Sequence, residues 1–421
     1  MHKFSRTVAF SRVTAIASRR PVHAAFAWLH GNPKTMMDWQ AAVCGIPAPP
    51  FGEEARGHWL AARFLEIGLE KIQIDEVGNV LGYLPTPHLS AENTGPMVVV
   101  SAHLDTVFPP ETPLNPVVRN VDGIDRLDCP GACDNCAGVT GMLAVARAIT
   151  SSGTYLPCTL LFLGNVGEEG EGDLRGVRHF YGNQLLAGRV AAHVVLDGAG
   201  ADSAVTQALG SRRYQVNIAG PGGHSFTDAG TPNPIAALAT ALATIAATKL
   251  PDEPRTTLNL GTIRGGTSVN SIPESASASV DFRSTSAEEL VRLEVALHRA
   301  VEDAVDYWNT RTPSSRARGI LTFSIVKIGD RPAARLVDDS PILETLRAVD
   351  RHLGLLTGVR LGSTDGNIPL SLGVAALSLG AGGEGGGAHT LREWYSARDR
   401  EVGLRRVLLL TLAIAEWAAE Q

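Results

Sequence analysis

The side chains that could do chemistry each fall just after an apolar run: His103 with Asp105, Asp134, the pair Glu168 and Glu169, Asp197, and far downstream His389. Zinc prefers imidazole and carboxylate, and a hydrolytic site with two ions needs one group to bridge both while others hold each ion separately. His103, Asp134, Glu169, Asp197 and His389 make such a set. Two zinc ions bring four positive charges, while three carboxylates and a bridging hydroxide bring four negative ones, so the site closes at zero. Glu168 is then left over. A carboxylate beside the ions that holds neither is the group needed to take a proton from water and pass it to a leaving amine. Asp105, two residues beyond His103, can accept the other ring N–H and fix the tautomer.

Those positions need elements that converge. The runs MVVVSAH, TLLFLGNVGEE, HVVLDG and VAALSLGAGGEGGGAH read as buried parallel strands, rich in Val and Leu and bounded by Gly. In an open α/β sheet, functional groups collect beyond the carboxyl ends of the strands, so four strands aim polar residues at one place. Asp134 to Ile149 opens with an acidic residue in N-cap style and runs on Ala-rich as a helix. Asp38 to Gly68 is helical in pattern with a Pro-rich break at Ile46 to Phe51, and leads into an edge hairpin around Ile72 to Leu84. This alternation predicts a doubly wound α/β catalytic domain. The glycines from Gly380 to Gly387 read as a tight loop where backbone passes close to something.

Near Ser211 the pattern changes. Strand-like RRYQVNIAG, helical PNPIAALATALATIAATKL, strand-like TLNLGTIRGG and SASASVDFRS, a long helix AEELVRLEVALHRAVEDAVDYW and a last strand GILTFSIVKIG follow one another. The order β-α-β-β-α-β is that of a ferredoxin-like α+β module. It is inserted, because the strand-and-loop style returns after Pro332 and supplies His389. The predicted domains are 1–37 as an N-terminal extension and first helix, 38–210 and 333–421 as the catalytic domain, and 211–332 as the insert.

Composition narrows the classes. A chain of 421 residues with 44% hydrophobic and 19% charged residues has ample material for a large core. A net charge of -6 and no Lys/Arg-rich block argue against nucleic acid as a partner. No apolar run approaches the length of a bilayer span, which argues against membrane insertion. The first twenty residues hold Lys3, Arg6, Arg12, Arg19 and Arg20 without an apolar h-region, so the expectation is a mobile extension rather than a secretory signal. Five cysteines, an odd number without a disulfide-like spacing, favour a reducing cytoplasm.

The segments SAHLDTV, GACDNCAG, GNVGEEGEGD, LDG, GPGGHS, GGTSVNSIPESASASVDFR and GGGAHTLREW, in this order, resemble the M20 family of zinc exopeptidases and amidohydrolases. That family includes peptidase T-like aminopeptidases, carboxypeptidase G-like enzymes, acetylornithine deacetylase and succinyl-diaminopimelate desuccinylase. The resemblance spans roughly Asp38 to the C-terminus. It implies one zinc on His103 and Asp197, the other on Glu169 and His389, Asp134 as the bridge and Glu168 as the general base. It further implies that the insert is a lid that also makes a homodimer. His224, in the GGHS turn, resembles the histidine that reaches a neighbouring active site across that dimer and polarises the scissile carbonyl. Asn270 and Arg283 match positions that contact substrate. The expected substrate is a small peptide or an N-acyl amino acid, and Co or Mn can occupy the same ligands as Zn.

Two departures bear on specificity. The family's Asp-x-Lys becomes Asp134-Asn135-Cys136 here, so any role of that lysine is absent. Where the desuccinylase-like branch carries an Arg that grips a substrate carboxylate, this chain has Asn367, and Asn makes no bidentate clamp. That favours an aminopeptidase-like exopeptidase over a carboxypeptidase or N-acyl amino acid deacylase. Other readings compete. Cys129, Cys133 and Cys136 could hold three irons of a cubane cluster, but this leaves the carboxylates and His389 unexplained. A metal-free relative could bind peptides without cutting them. The pair Arg392 and Glu393 reads as a solvated helix start, and the remaining histidines (His2, His23, His30, His58, His88, His179, His193, His298 and His352) as structural or surface.

Overall fold

The computed structural model describes residues 6–85, 95–311 and 319–421. His2, Lys3 and His88 lie outside them. The chain divides into two compact units, Met1–Ala208 with Arg335–Gln421, and Leu209–Ala334.

The first unit is built on a mixed sheet. Met97–His103 lies between Thr159–Asn165 and Val190–Leu196, parallel to both, and Ala375–Leu379 runs parallel beside Val190–Leu196. Every residue of Met97–His103 and Thr159–Asn165 is buried, which explains why these strands read as continuous apolar runs instead of alternating ones. The hairpin of Glu70–Ile74 and Val80–Tyr83 adds an antiparallel edge against Thr159–Asn165. Ser203–Ala208 pairs antiparallel with Ala375–Leu379 and parallel with Gly358–Gly362. Helices Cys136–Ser152 and Arg400–Ala419 pack against the central strands with long buried faces. Because the four central strands are parallel, their carboxyl ends share one edge, and that edge receives the residues following each strand. This is the predicted doubly wound α/β fold.

Two expectations about local structure change. The N-terminal segment is not a loose extension. Helices Arg6–Ala17 and Arg20–Gly31 bury Ala9, Val13, Ile16, Val22, Ala25 and Leu29 against helices Pro341–Leu353, Arg400–Ala419 and Cys136–Ser152. Its arginines find their acids elsewhere in the chain: Arg6 pairs with Glu344, Arg12 with Glu420 and Arg19 with Glu416. The second change is at the helix expected from Asp134. It starts at Cys136, and its cap is Asn135, whose Oδ1 accepts the Gly138 N–H at 3.1 Å. Asp134 is thereby left for other work.

The second unit is a four-stranded antiparallel sheet in the order Thr256–Gly265, Ser275–Ser284, Gly210–Ala219, Thr322–Arg331. Helices Pro234–Ala246 and Ala287–Thr310 cover one face, where Tyr214, Val216, Ile218, Ala278, Val280 and Phe282 meet Leu238, Ile245, Leu293 and Leu297. Burial alternates strictly along Ser275–Ser284, the period-two pattern of a sheet packed on one side only. The chain order is β-α-β-β-α-β, the ferredoxin-like arrangement predicted for the insert.

Candidate metal centre

Four of the expected ligands surround Asp134 at the shared strand edge. His103 closes the strand Met97–His103 and is 2% exposed. Its Nε2 lies 3.1 Å from Asp134 Oδ1 and 3.8 Å from Asp197 Oδ1. On the other side, His389 Nε2 lies 3.1 Å from Asp134 Oδ2 and 3.0 Å from Glu169 Oε1. Asp134 thus turns one carboxylate oxygen to each pair. Two ligands each about 2.0–2.1 Å from a tetrahedral zinc are about 3.3 Å apart, so these separations are of the size a shared ion imposes.

The donor set itself fits a cation. Asp134 Oδ1 is buried and receives no hydrogen bond, although His103 Nε2 is 3.1 Å away, because the two groups face each other off the line a hydrogen bond needs. Atoms of His103, Asp134 and Glu169 all lie within 4.8 Å of one another, a grouping able to hold a metal ion. Without an ion the imidazoles hold protons in its place. Burial works against charge on His103, but the carboxylates of Asp105, Asp134 and Asp197 around the ring keep its pKa well above the usual histidine range. His389 is pushed up to about 9, first by its bond to Asp134 and then by the charges of Glu169 and Asp134 acting against partial burial. For Asp134, burial is overcome by the two imidazoles and the carboxyl is held below its ordinary range. Glu169 moves the other way, raised by burial and by the charge of Asp134.

Asp105 does a different job from the one expected. His103 Nδ1 meets the main-chain oxygen of Asp105 at 3.1 Å, while the carboxylate stands off at 3.6 Å. The carboxylate oxygens are taken instead by the backbone N–H groups of Glu168 at 2.9 Å and Glu169 at 2.7 Å. A buried carboxylate therefore sets the strand-end turn from which both glutamates project, and Glu168 is itself 5% exposed.

Asn135 ties two ligand-bearing loops together. Its Oδ1 accepts from Gly198 at 3.0 Å as well as from Gly138, and its Nδ2 donates to Leu196 O at 3.0 Å. The residues on either side of Asp197 are thus fastened to the residue after Asp134. The Gly-rich loop does pass close to its surroundings: a Cβ on Gly380 would sit 2.2 Å from Ala199 O, and one on Gly385 2.2 Å from Cys133 Sγ, where it would push the loop off the segment carrying Asp134.

Sequence reading missed three residues here. Glu393 is not a solvated helix start; it is 1% exposed, and its carboxylate accepts the N–H groups of Gly131, Cys133 and Asp134. Its exposed neighbour Arg392 hid the difference, since sequence alone does not say which of two adjacent charges turns inward. Asp365 is equally buried, accepts from Asn165 Nδ2 at 2.6 Å, and is pushed up to about 7, chiefly by burial. Asn165 pairs in register with His103.

Of the expected substrate residues, Asn367 belongs to the first unit and His224, Asn270 and Arg283 to the second. Asn367 is 1% exposed and its Oδ1 accepts the Thr364 N–H at 3.0 Å, so that oxygen closes its own turn. In the second unit, His224 lies on Gly223–His224, paired with Ser271–Ile272, and Ser225 N–H donates to Asn270 O at 3.0 Å. His224 Nδ1 accepts from the N–H groups of Phe226 and Thr227, which leaves the ring proton of the neutral form on Nε2. Arg283 stands near the far end of Ser275–Ser284, about 26 Å along the strand from Ser275, where its Nε donates to Asp281. The cysteines are all buried and free, and burial pushes the Cys133 thiol up to about 12.

Imidazoles and carboxylates converging past the parallel strands of a doubly wound sheet define a hydrolase of the metal-dependent kind. The family model for peptidase family M20/M25/M40 matches residues 99–413, and the chain belongs to that family of peptidases and amidohydrolases. A probable carboxypeptidase of Ajellomyces dermatitidis is 30% identical over 223 residues, covering 48% of this chain and 50% of the relative. The chain thus spans about half the length of the curated relatives it matches. The fold is that of the aminopeptidase PepT from Bacillus cereus, with a TM-score of 0.71 at 18% identity over 91% of this chain and 99% of that one. It is also that of Bacillus subtilis YxeP, described as a dinuclear metal binding peptidase of the M20 family, with a TM-score of 0.63 at 15% identity over 91% and 98%.

Proposed function

We propose that this chain is a two-metal exopeptidase that hydrolyses an amide bond of small peptides, most readily in the aminopeptidase manner. The observation that carries this is the division of Asp134: Oδ1 toward His103, which Asp197 also faces, and Oδ2 toward His389, which Glu169 also faces. His103 and Asp197 would hold one zinc, Glu169 and His389 the other, and Asp134 would bridge; Co or Mn suit the same donors. Bound there, the ions supply Lewis acidity and bring the pKa of water toward neutrality. Glu168 takes a proton from the attacking water and delivers it to the departing nitrogen, held in place through its backbone bond to Asp105. His224 is a candidate to hydrogen-bond the scissile carbonyl through Nε2.

A second reading, a carboxypeptidase or N-acyl amino acid deacylase, is favoured by the name of the curated relatives and by Arg119, Arg126 and Arg392, which line a cavity of about 660 Å³ beside Glu393 and could take a carboxylate. The exposed apolar residues Val326 and Ile328 on an outer strand of the second unit's sheet support a homodimer made through that unit. Five unpaired thiols support a reducing, cytoplasmic setting. Among the described residues no helix is long and apolar enough to cross a membrane.

The decisive assay is cleavage of a peptide panel blocked at either end, with metal content and chelator sensitivity measured on the same preparation. Cutting that requires a free amine supports the first reading, and cutting that requires a free carboxylate supports the second. A chain that binds no metal and cuts nothing refutes both.

A further inference from the structure

Behind the segment that carries Asp134, three donors converge on one buried carboxylate. Glu393 Oε1 accepts the backbone N–H of Cys133 at 2.8 Å and of Asp134 at 2.7 Å, and Oε2 accepts that of Gly131 at 2.9 Å. The main chain of Glu393 joins the same segment, its carbonyl accepting from Cys129 N–H at 3.1 Å. Its own N–H donates to Thr390 O at 3.1 Å, which folds Glu393 back onto the turn that presents His389. His389 in turn meets Asp134 Oδ2 at 3.1 Å. A short closed circuit results, from Asp134 through the Glu393 carboxylate, along four residues of chain, and back through His389 to Asp134.

We infer that Glu393 is a positioning residue for the metal pair, one that presets the main chain of Asp134 and couples it to His389 before any ion binds. The inference rests on the two-metal reading above. A bridging carboxylate must present two oxygens to two ions at once, so a small rotation of its backbone spoils both bonds together. Sites of this kind need their groups held to within about 0.5 Å. Three N–H groups on a single carboxylate fix position and rotation, where one bond would fix only a distance. The charge also matters. Burying a carboxylate costs stability unless it is well bonded, and a loop that needed only to be closed could be closed by a neutral group. A charge placed here orients three amides that would otherwise be unbonded donors in the interior.

Glu393→Gln isolates the effect. The Gln oxygen can still take Cys133 and Asp134, but its NH2 would face the Gly131 N–H, donor against donor. The metal-free variant is titrated with zinc against a chromophoric chelator, and its thermal midpoint is compared with that of the metal-free parent. Affinity for at least one ion should fall about 10- to 100-fold while the metal-free midpoint drops only by what one lost hydrogen bond costs, and excess zinc should restore most of kcat. A merely structural role would lower the midpoint and leave zinc affinity alone, and that result overturns the inference. Should the variant not fold, the unaltered chain decides through hydrogen exchange of the peptide spanning residues 129–134. Slow exchange in the metal-free protein supports a preset segment, and fast exchange that slows only when zinc is added overturns it. Two ions bound by both parent and variant with equal affinity would sink this inference and leave the two-metal reading intact. A parent that binds no metal sinks both.

Discussion

At the residue scale, the centre stores charge in two alternative ways. Without ions, His103 and His389 keep protons that the surrounding carboxylates hold on them, and His389 is raised to about 9. A group whose folded pKa is raised stabilises the fold fully below its unfolded value near 6.5, and that contribution is lost as pH climbs through the folded value. The metal-free protein should therefore lose thermal stability between about pH 6.5 and 9. Zinc needs the same nitrogens unprotonated, so its apparent affinity should rise across that window. Calorimetry in buffers of different ionisation heat should record protons released on binding at pH 7, and a zinc affinity flat from pH 6.5 to 9 would contradict the assignment of His389. Glu168 separates from this group by function. Glu168→Ala should cut turnover by about 10²–10⁴-fold while both ions remain bound, measured by metal analysis beside kinetics. For Asp134→Ala the expectation is loss of both ions, because Asp134 faces both pairs.

Individual ligands were legible in the sequence because each ends an apolar run or opens a helix; their supports were not. Glu393 is adjacent to Arg392 and looks like surface until burial is known. Asp105 has the right spacing to face the His103 ring, yet the turn after Thr159–Asn165 brings two amides closer to its carboxylate than the ring is. That competition is decided by strand register, which sequence does not state. For Asn367 the family position was recognisable, but nothing in the residue type says that its Oδ1 closes its own turn.

At the scale of elements, the capping of helix Cys136–Ser152 is joined to the metal centre. Asn135 is both the helix cap and the tie to the loop carrying Asp197. Asn135→Ala removes three hydrogen bonds and should cost about 1–3 kcal/mol, read as a shift in denaturant midpoint. It should also weaken zinc binding, since Asp134 and Asp197 would lose their common strut. Asn135→Asp keeps the cap and the bond to Gly198 but not the donor to Leu196, so an intermediate loss is expected. Equal zinc affinity in all three proteins would show that the cap serves the helix alone.

At the scale of the molecule, the order of strand-like and helical runs carried both fold readings, whereas the N-terminal helices escaped because their arginines suggested a mobile extension. The structure supplies the missing partners: Glu344, Glu416 and Glu420 lie hundreds of residues away in sequence. Each pair keeps at least one partner in water and is worth little by itself, so the packing of the segment depends on its apolar stripe. Val13 and Ile16 are buried at 0% and 1% exposure against Pro341–Leu353 and Arg400–Ala419. Ile16→Ala should cost about 2–5 kcal/mol, with one cooperative transition if the helices unfold together with the first unit. Reversing the charge of Arg19, whose side chain is 45% exposed, should cost far less, about 1 kcal/mol or below. The order of the two effects is the test. If Arg19→Glu proves the more damaging, charge rather than apolar contact holds the segment down. If neither substitution moves the denaturant midpoint, the first two helices are not part of the cooperative core that carries the metal centre.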